Sequence, residues 1–114
     1  MKAVFVELAP FARHRAEYLD DDAFRKLQET LMSDPSAGDL IRDTGGLRKI
    51  RFADARRGKG KRGGLRVIYF WWVLESQCWL FTVYDKDQAD DLTAKQRSVL
   101  AQLLEREVKA RRTS

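Results

Sequence analysis

Cationic side chains are concentrated in one stretch of this chain, between Arg48 and Arg66. That stretch holds nine Lys or Arg and a single acid, Asp54, for a local net charge of +8, whereas the whole 114-residue chain carries +5. The rest of the chain is therefore net acidic. Positive charge gathered on one segment indicates a surface that binds a polyanion, although a solvated basic loop is the commoner meaning of a charge run.

A predicted β-strand gives the first of these cations fixed directions. Along residues 47–52 the side chains alternate between faces, as a strand requires. Ile50 and Phe52 fall on one face, and Lys49 and Arg51 fall on the other. Two cations about 7 Å apart would then point the same way from a rigid element.

A second predicted strand follows the basic run at residues 65–74. It is apolar on both faces except at Arg66, near its start, which is typical of a central strand. The loop between the two strands contains four glycines from Gly58 to Gly64 and is expected to move.

A third predicted strand, residues 78–84, adds an aromatic and a cation. Tyr84 and Lys86 are two residues apart and share a face. A register that brings them to Lys49, Arg51 and Arg66 would make a basic surface that contains a phenol. Such a surface can hold a phosphate and stabilise the charge that develops on it, and a lysine crowded by cations can act as a base.

These residue types support two kinds of chemistry equally. One is metal-free RNA cleavage with the 2′-hydroxyl as nucleophile, and the other is RNA binding by a non-catalytic sheet.

The single histidine, His14, and the single cysteine, Cys78, cannot form a structural zinc site. His14 is expected to be an ordinary surface or packing residue, and no cofactor is predicted. One cysteine also excludes an internal disulfide and fits a reducing compartment.

The fold class predicted from the patterns is α+β, as a single domain over residues 1–114. The expected order is β-α-α-β-β-β-α, with an antiparallel sheet, two N-terminal helices and a C-terminal helix, all packed on one face of the sheet. Asp20–Asp22 is predicted to cap the second helix, and Thr93 with Gln96 forms a capping box that starts the last one. Without an apolar run long enough for a signal peptide or membrane span, we expect a cytoplasmic protein.

Three segments together are similar to one known family. They are TGGLRKIR at 44–51, GKRGGLRVIY at 60–69, and VYDK at 83–86 with DLT at 91–93. In this combination the chain resembles the HigB branch of the RelE superfamily of toxins, over nearly its whole length. The resemblance implies the toxin of a type II toxin–antitoxin pair, an mRNA endoribonuclease that cuts the message in the ribosomal A site and inhibits translation. It also implies a cognate helix-turn-helix antitoxin, with operator DNA bound only through the antitoxin complex.

The resemblance also assigns residues. Lys49 and Arg51 match strand positions that contact or activate the scissile phosphate, with Lys49 the first choice for the base. Arg66 matches the arginine that opens the next strand, and Tyr84 with Lys86 matches a late basic and aromatic segment. Arg51 stands where some relatives have lysine, which leaves the general base and acid open.

A second set of cations is predicted to bind RNA or the ribosome. Its members are Arg48, Arg56, Arg57, Lys59, Lys61 and Arg62. Arg48 lies on the strand face opposite Lys49, so a structural or antitoxin-contact role is predicted for it before a catalytic one. The alternative to the enzyme is a non-catalytic basic module that binds RNA or DNA within a repressor complex.

Overall fold

The computed structural model describes residues 3–53, 58, 60, 64–86 and 92–112. Their regular elements, in chain order, are β1 (Val4–Glu7), α1 (Ala9–Tyr18), α2 (Asp21–Ser33), β2 (Asp39–Leu40), β3 (Arg48–Phe52), β4 (Leu65–Trp72), a 3-10 turn (Val73–Glu75), β5 (Gln77–Asp85) and α3 (Ala94–Arg112). The predicted α+β class and the order of the predicted elements are confirmed. The short strand β2 was not among the predicted elements.

The strands form one five-stranded sheet in the order β1-β5-β4-β3-β2. Neighbours that follow one another in the chain pair antiparallel, as predicted, but β1 pairs with β5 in parallel. The sheet is therefore mixed. The physical reason is that a short hairpin forces neighbouring strands to run in opposite directions, and no hairpin joins β1 to β5.

Helices cover both faces of this sheet, so the expectation that all of them pack on one face is wrong. Helices α1 and α2 pack on a face that includes Val67 and Tyr69, which we call the two-helix face. Helix α3 packs on the other, the one-helix face, over Ile68 and Trp79. A strand that is apolar on both sides, as β4 is, needs cover on both sides.

The helix starts follow the predicted capping chemistry. The Asp20 carboxylate accepts a hydrogen bond of 2.8 Å from the Ala23 backbone N–H at the start of α2. At the start of α3, the Thr93 N–H donates to the Gln96 side chain at 2.8 Å, and the Gln96 N–H donates to the Thr93 hydroxyl at 3.1 Å. This reciprocal pair fixes where α3 begins above the sheet.

The side chain of Tyr69, on the two-helix face, holds the loop that leads into β2. The buried Tyr69 hydroxyl donates to the Pro35 carbonyl at 2.7 Å and accepts from the Gly38 N–H at 2.9 Å. A Cβ at Gly38 would lie 2.9 Å from the Lys49 carbonyl oxygen and from the Tyr69 ring, so only glycine fits there. The loop is thereby fastened beside β3, the strand that carries Lys49 and Arg51.

No helix in the described ranges combines the length and the apolar character needed to cross a membrane.

Candidate functional site

The pairing of the three central strands brings three of the five candidate catalytic residues into one row. Arg51 on β3 lies opposite Arg66 on β4, and Arg66 lies opposite Tyr84 on β5. Strand spacing therefore places neighbouring members of this row about 5 Å apart at their Cα atoms. We refer to these three residues as the cross-strand row. Their proposed roles in catalysis stay predictions.

Lys49 lies on the same face as the row, two residues before Arg51 on β3. It is opposite Ile68 of β4 and Asp39 of β2. The predicted alternation along β3 is correct, because Ile50 is buried in the core of the two-helix face, with Phe52 packed against it. Lys49 also lines a cavity of about 570 Å³ together with Asp39 and with Arg97 from α3.

Solvent reaches the members of this site unequally. Arg51 and Lys86 are exposed, and Lys49 is half-buried. Arg66 and Tyr84 are only 2% and 8% exposed. A ligand that approaches from solvent can therefore reach Arg51, Lys49 and Lys86, whereas Arg66 and Tyr84 are almost inaccessible to it.

Backbone contacts fix the end of the sheet where the row lies. The Arg66 guanidinium donates through Nη1 to the Gly64 carbonyl at 3.3 Å. The same carbonyl accepts from the Lys86 N–H at 3.2 Å, one residue beyond the end of β5. Lys86 is thus held beside the start of β4, near Arg66, although it lies outside the predicted strand.

A buried hydrogen bond on the opposite face anchors the end of β5. The Tyr18 hydroxyl, at the end of α1, donates to the Asp85 carboxylate at 2.8 Å, and Asp85 is only 6% exposed. Burial, together with this carboxylate, raises the pKa of Tyr18 above its usual range. Asp85 directly follows Tyr84, so the contact fixes the backbone that carries a member of the row.

Arg48 lies on the two-helix face, away from the row. Its guanidinium Nη1 donates to the Gly38 carbonyl at 2.7 Å and to the Ser36 carbonyl at 3.3 Å. These contacts give it a structural role, while RNA or ribosome binding by Arg48 stays a prediction. The other cations predicted to bind RNA lie outside the described residues. They are Arg56, Arg57, Lys59, Lys61 and Arg62.

Two residues that line cavities beside Lys49 or Tyr84 had no functional role in the sequence prediction. Arg97 of α3 donates to the Leu92 carbonyl at 3.1 Å and lines the cavity that contains Lys49. His14 of α1 lines a second cavity, of about 470 Å³, whose floor includes Tyr84. Local patterns could not find either one, because both reach the site through the packing of a helix far away in the chain.

Among the residues that the structure describes, no group of three or more His, Cys, Asp or Glu side chains is placed to hold a metal ion.

No protein-family model matches the sequence. Among solved structures, the fold is similar to that of the Escherichia coli toxin RelE, in a double arginine-to-alanine variant in the free state. The TM-score is 0.55 at 12% sequence identity, and the match covers 79% of this chain and 90% of that one. This chain therefore has the RelE-like α+β fold.

Proposed function

We propose that this protein is a toxin of the RelE superfamily, of the HigB type, that cuts mRNA on the ribosome and thereby stops translation. The observation that carries the proposal is the cross-strand row, with Lys49 and Lys86 beside it, on a sheet with the RelE-like fold. The solved relative is described as a toxin, which supports the biological class. We place the protein in the cytoplasm, where ribosomes and mRNA are found.

The proposed reaction is an internal transesterification of RNA. The 2′-oxygen attacks the adjacent phosphorus while Lys49 takes the 2′-hydroxyl proton. The 5′-oxygen leaves and takes up a proton from a side chain of the site, which gives a 2′,3′-cyclic phosphate and a 5′-hydroxyl. Every bond made and broken belongs to the RNA, so the protein supplies only proton transfer and charge.

The exposure of the cations suggests how they share this work. Arg51, the exposed member of the row, is proposed to hold the phosphate through its planar fork. Arg66 lies beneath and supplies positive charge from a buried position, where electrostatic effects are stronger than in water. Tyr84 is proposed to orient the nucleotide, and Lys86 to contact the RNA at the edge of the site.

The proposed partners are mRNA, the ribosome and a cognate antitoxin with a helix-turn-helix domain. The excess positive charge of the stretch from Arg48 to Arg66 fits a surface that approaches ribosomal RNA. Operator DNA would be bound only through the antitoxin complex.

Inducible expression of the chain without a partner tests the proposal. Translation, followed by incorporation of labelled amino acids, should stop, and primer extension on a reporter message should find new 5′ ends inside the coding region. A message whose start codon is mutated, and which is therefore not translated, should stay uncut. Soluble expression with normal growth and no new ends would refute the proposal.

The second candidate is a basic module that binds RNA without cutting it. The low exposure of Arg66 and Tyr84 favours it, because a surface that only binds does not need those two groups in contact with RNA. It predicts translation arrest with intact messages, which the same primer extension distinguishes.

A further inference from the structure

A cavity of about 470 Å³ adjoins the cross-strand row on the side of Tyr84. It opens between α1 and the first turns of α3, and β5 forms its floor. Its size lies within the range of pockets that hold small organic groups. It adjoins the proposed site because Tyr84 belongs to both.

The walls of this cavity combine apolar surface with polar groups. Pro10 and His14, one turn apart on α1, form one wall, and Val99 of α3 forms part of the other. The His14 ring places Nδ1 3.6 Å from the Glu17 carboxylate and is partly exposed. Val99 is 56% exposed, which is high for a branched apolar side chain on a helix.

Two donors from α3 lie at the same cavity. The Gln96 side-chain carbonyl oxygen accepts a hydrogen bond from the Thr93 N–H, which fixes the orientation of the amide, and its NH₂ group is a donor. The exposed Lys95 adds a positive charge to the lining. The described lining residues include no carboxylate.

We propose that this cavity binds an unpaired nucleobase of the RNA, in the nucleotide next to the phosphate at the cross-strand row. Unpaired bases are recognised by stacking on aromatic rings, histidine included, and by hydrogen bonds to their edges. His14 supplies a partly exposed ring for stacking, Pro10 and Val99 the apolar contact, and Gln96 a donor, above a floor that includes Tyr84. The inference rests on the proposed function for the identity of the RNA, but base binding itself can be tested without cleavage.

A side chain of a protein partner is the other occupant that such a cavity could take. Two observations favour the base. Among the residues that the structure describes, the lining carries a cation and no carboxylate, which suits a ligand that has a phosphate attached. The floor is also shared with Tyr84, so an occupant would lie against the proposed site.

The single histidine makes base binding directly measurable. Its imidazole proton resonances in the purified protein can be followed while each of the four ribonucleoside 3′-monophosphates is added at constant pH. We expect at least one of the four to shift the resonances to saturation. Inorganic phosphate at equal concentration is the control for charge alone. It should produce only a small part of the shift that the nucleotide produces.

A matched pair of substitutions locates the effect. Val99→Trp fills the cavity from an exposed position, and Gln102→Trp places the same ring on α3 at an exposed residue outside the lining. Val99→Trp should weaken nucleotide binding roughly tenfold or more, since base stacking contributes at about this level. Gln102→Trp should bind as the wild type does. Equal binding by both variants, or no shift with any nucleotide, would overturn the inference.

Mapping of cut sites on a translated message gives the second readout. Val99→Trp should change the distribution of bases beside the cut, and Gln102→Trp should keep the wild-type distribution. If Val99→Trp keeps that distribution and instead loses the antitoxin, the cavity binds a partner side chain and the inference is wrong. If nucleotides shift the His14 resonances to saturation but the wild-type protein does not cut RNA, base binding by the cavity is supported and only the proposed function is refuted.

Discussion

The two faces of the sheet use the same strands for different purposes. On the two-helix face, β4 presents Leu65, Val67 and Tyr69, all fully buried in one apolar core. On the one-helix face, the same strand begins with Arg66 and becomes apolar only from Ile68 onward. The two-helix face of β4 is thus buried core along these three positions. The one-helix face has a charged side chain at one end of the strand and apolar side chains along the rest.

Strand β3 repeats this difference with two arginines three residues apart. Arg48, on the two-helix face, donates to two backbone carbonyls and holds a loop. Arg51, on the one-helix face, is exposed beside Arg66 of the neighbouring strand. The strand period of two decides which arginine serves structure and which is available to a ligand.

Arg51→Ala is the substitution expected to have the largest effect on activity. It removes an exposed phosphate contact of the proposed transition state, so the single-turnover cleavage rate on the ribosome should fall by ~10²–10³. The melting temperature should stay near the wild-type value, because Arg51 is not part of the core. Arg25→Ala, which removes the same charge from the exposed surface of α2, is the control and should cut normally. Wild-type cleavage by Arg51→Ala would remove this residue from the site.

Leu27→Ala should have the opposite effect: it should lower the stability of the fold and leave the cleavage rate unchanged. Leu27 of α2 is fully buried in the core of the two-helix face, and truncation there should lower the free energy of unfolding by about 2–5 kcal/mol. Urea titration measures the loss. At low temperature, where the variant is still folded, the cleavage rate should match the wild type. A large loss of rate in the folded variant would mean that the two faces are not separable.

Arg48→Ala tests the comparison within one strand. Loss of its contacts to the Gly38 and Ser36 carbonyls should cost about 1–3 kcal/mol in unfolding free energy. The single-turnover rate at saturating ribosome should be nearly unchanged. If the rate instead falls as far as in Arg51→Ala with no loss of stability, Arg48 belongs to the site and its carbonyl contacts are incidental.

A last expected effect appears only in alkaline solution and is absent at neutral pH. Burial raises the pKa of the Cys78 thiol to about 12, from an ordinary value of about 9. The unfolded chain therefore loses this proton first, and the thiol's contribution to stability falls as pH rises from about 9 to about 12. The difference in melting temperature between the wild type and Cys78→Ala should therefore shrink as the pH rises across that range. A difference that stays constant with pH would contradict the burial of this group.

Local sequence patterns predicted the elements and the face of each β3 side chain, because alternation and capping are local properties. The Thr93–Gln96 box and the Asp20 cap lie where their patterns indicate. The parallel pairing of β1 with β5 could not be predicted, since nothing local specifies which distant strand becomes a neighbour.

For the candidate site, the sequence predicted which side chains share a strand face but not what surrounds them. Alternation placed Lys49 and Arg51 together, and the pairing with Arg66 and Tyr84 needed a register that only the folded sheet defines. The positions of His14 and Arg97 at the two cavities depend on helices packed from far along the chain. Charge density in a sequence indicates a ligand, but it does not indicate which cations the ligand can reach.

The chemistry of the cut ends tests the central claim most directly. A ribosome programmed with a short message should be cut by the purified protein, leaving a 2′,3′-cyclic phosphate and a 5′-hydroxyl. The same message with a single 2′-deoxynucleotide on the 5′ side of the scissile phosphate should resist cleavage at that position and at no other. Equal cleavage of the deoxy-substituted message, or products with 5′-phosphate ends, would contradict attack by the 2′-hydroxyl and with it the role proposed for the cross-strand row.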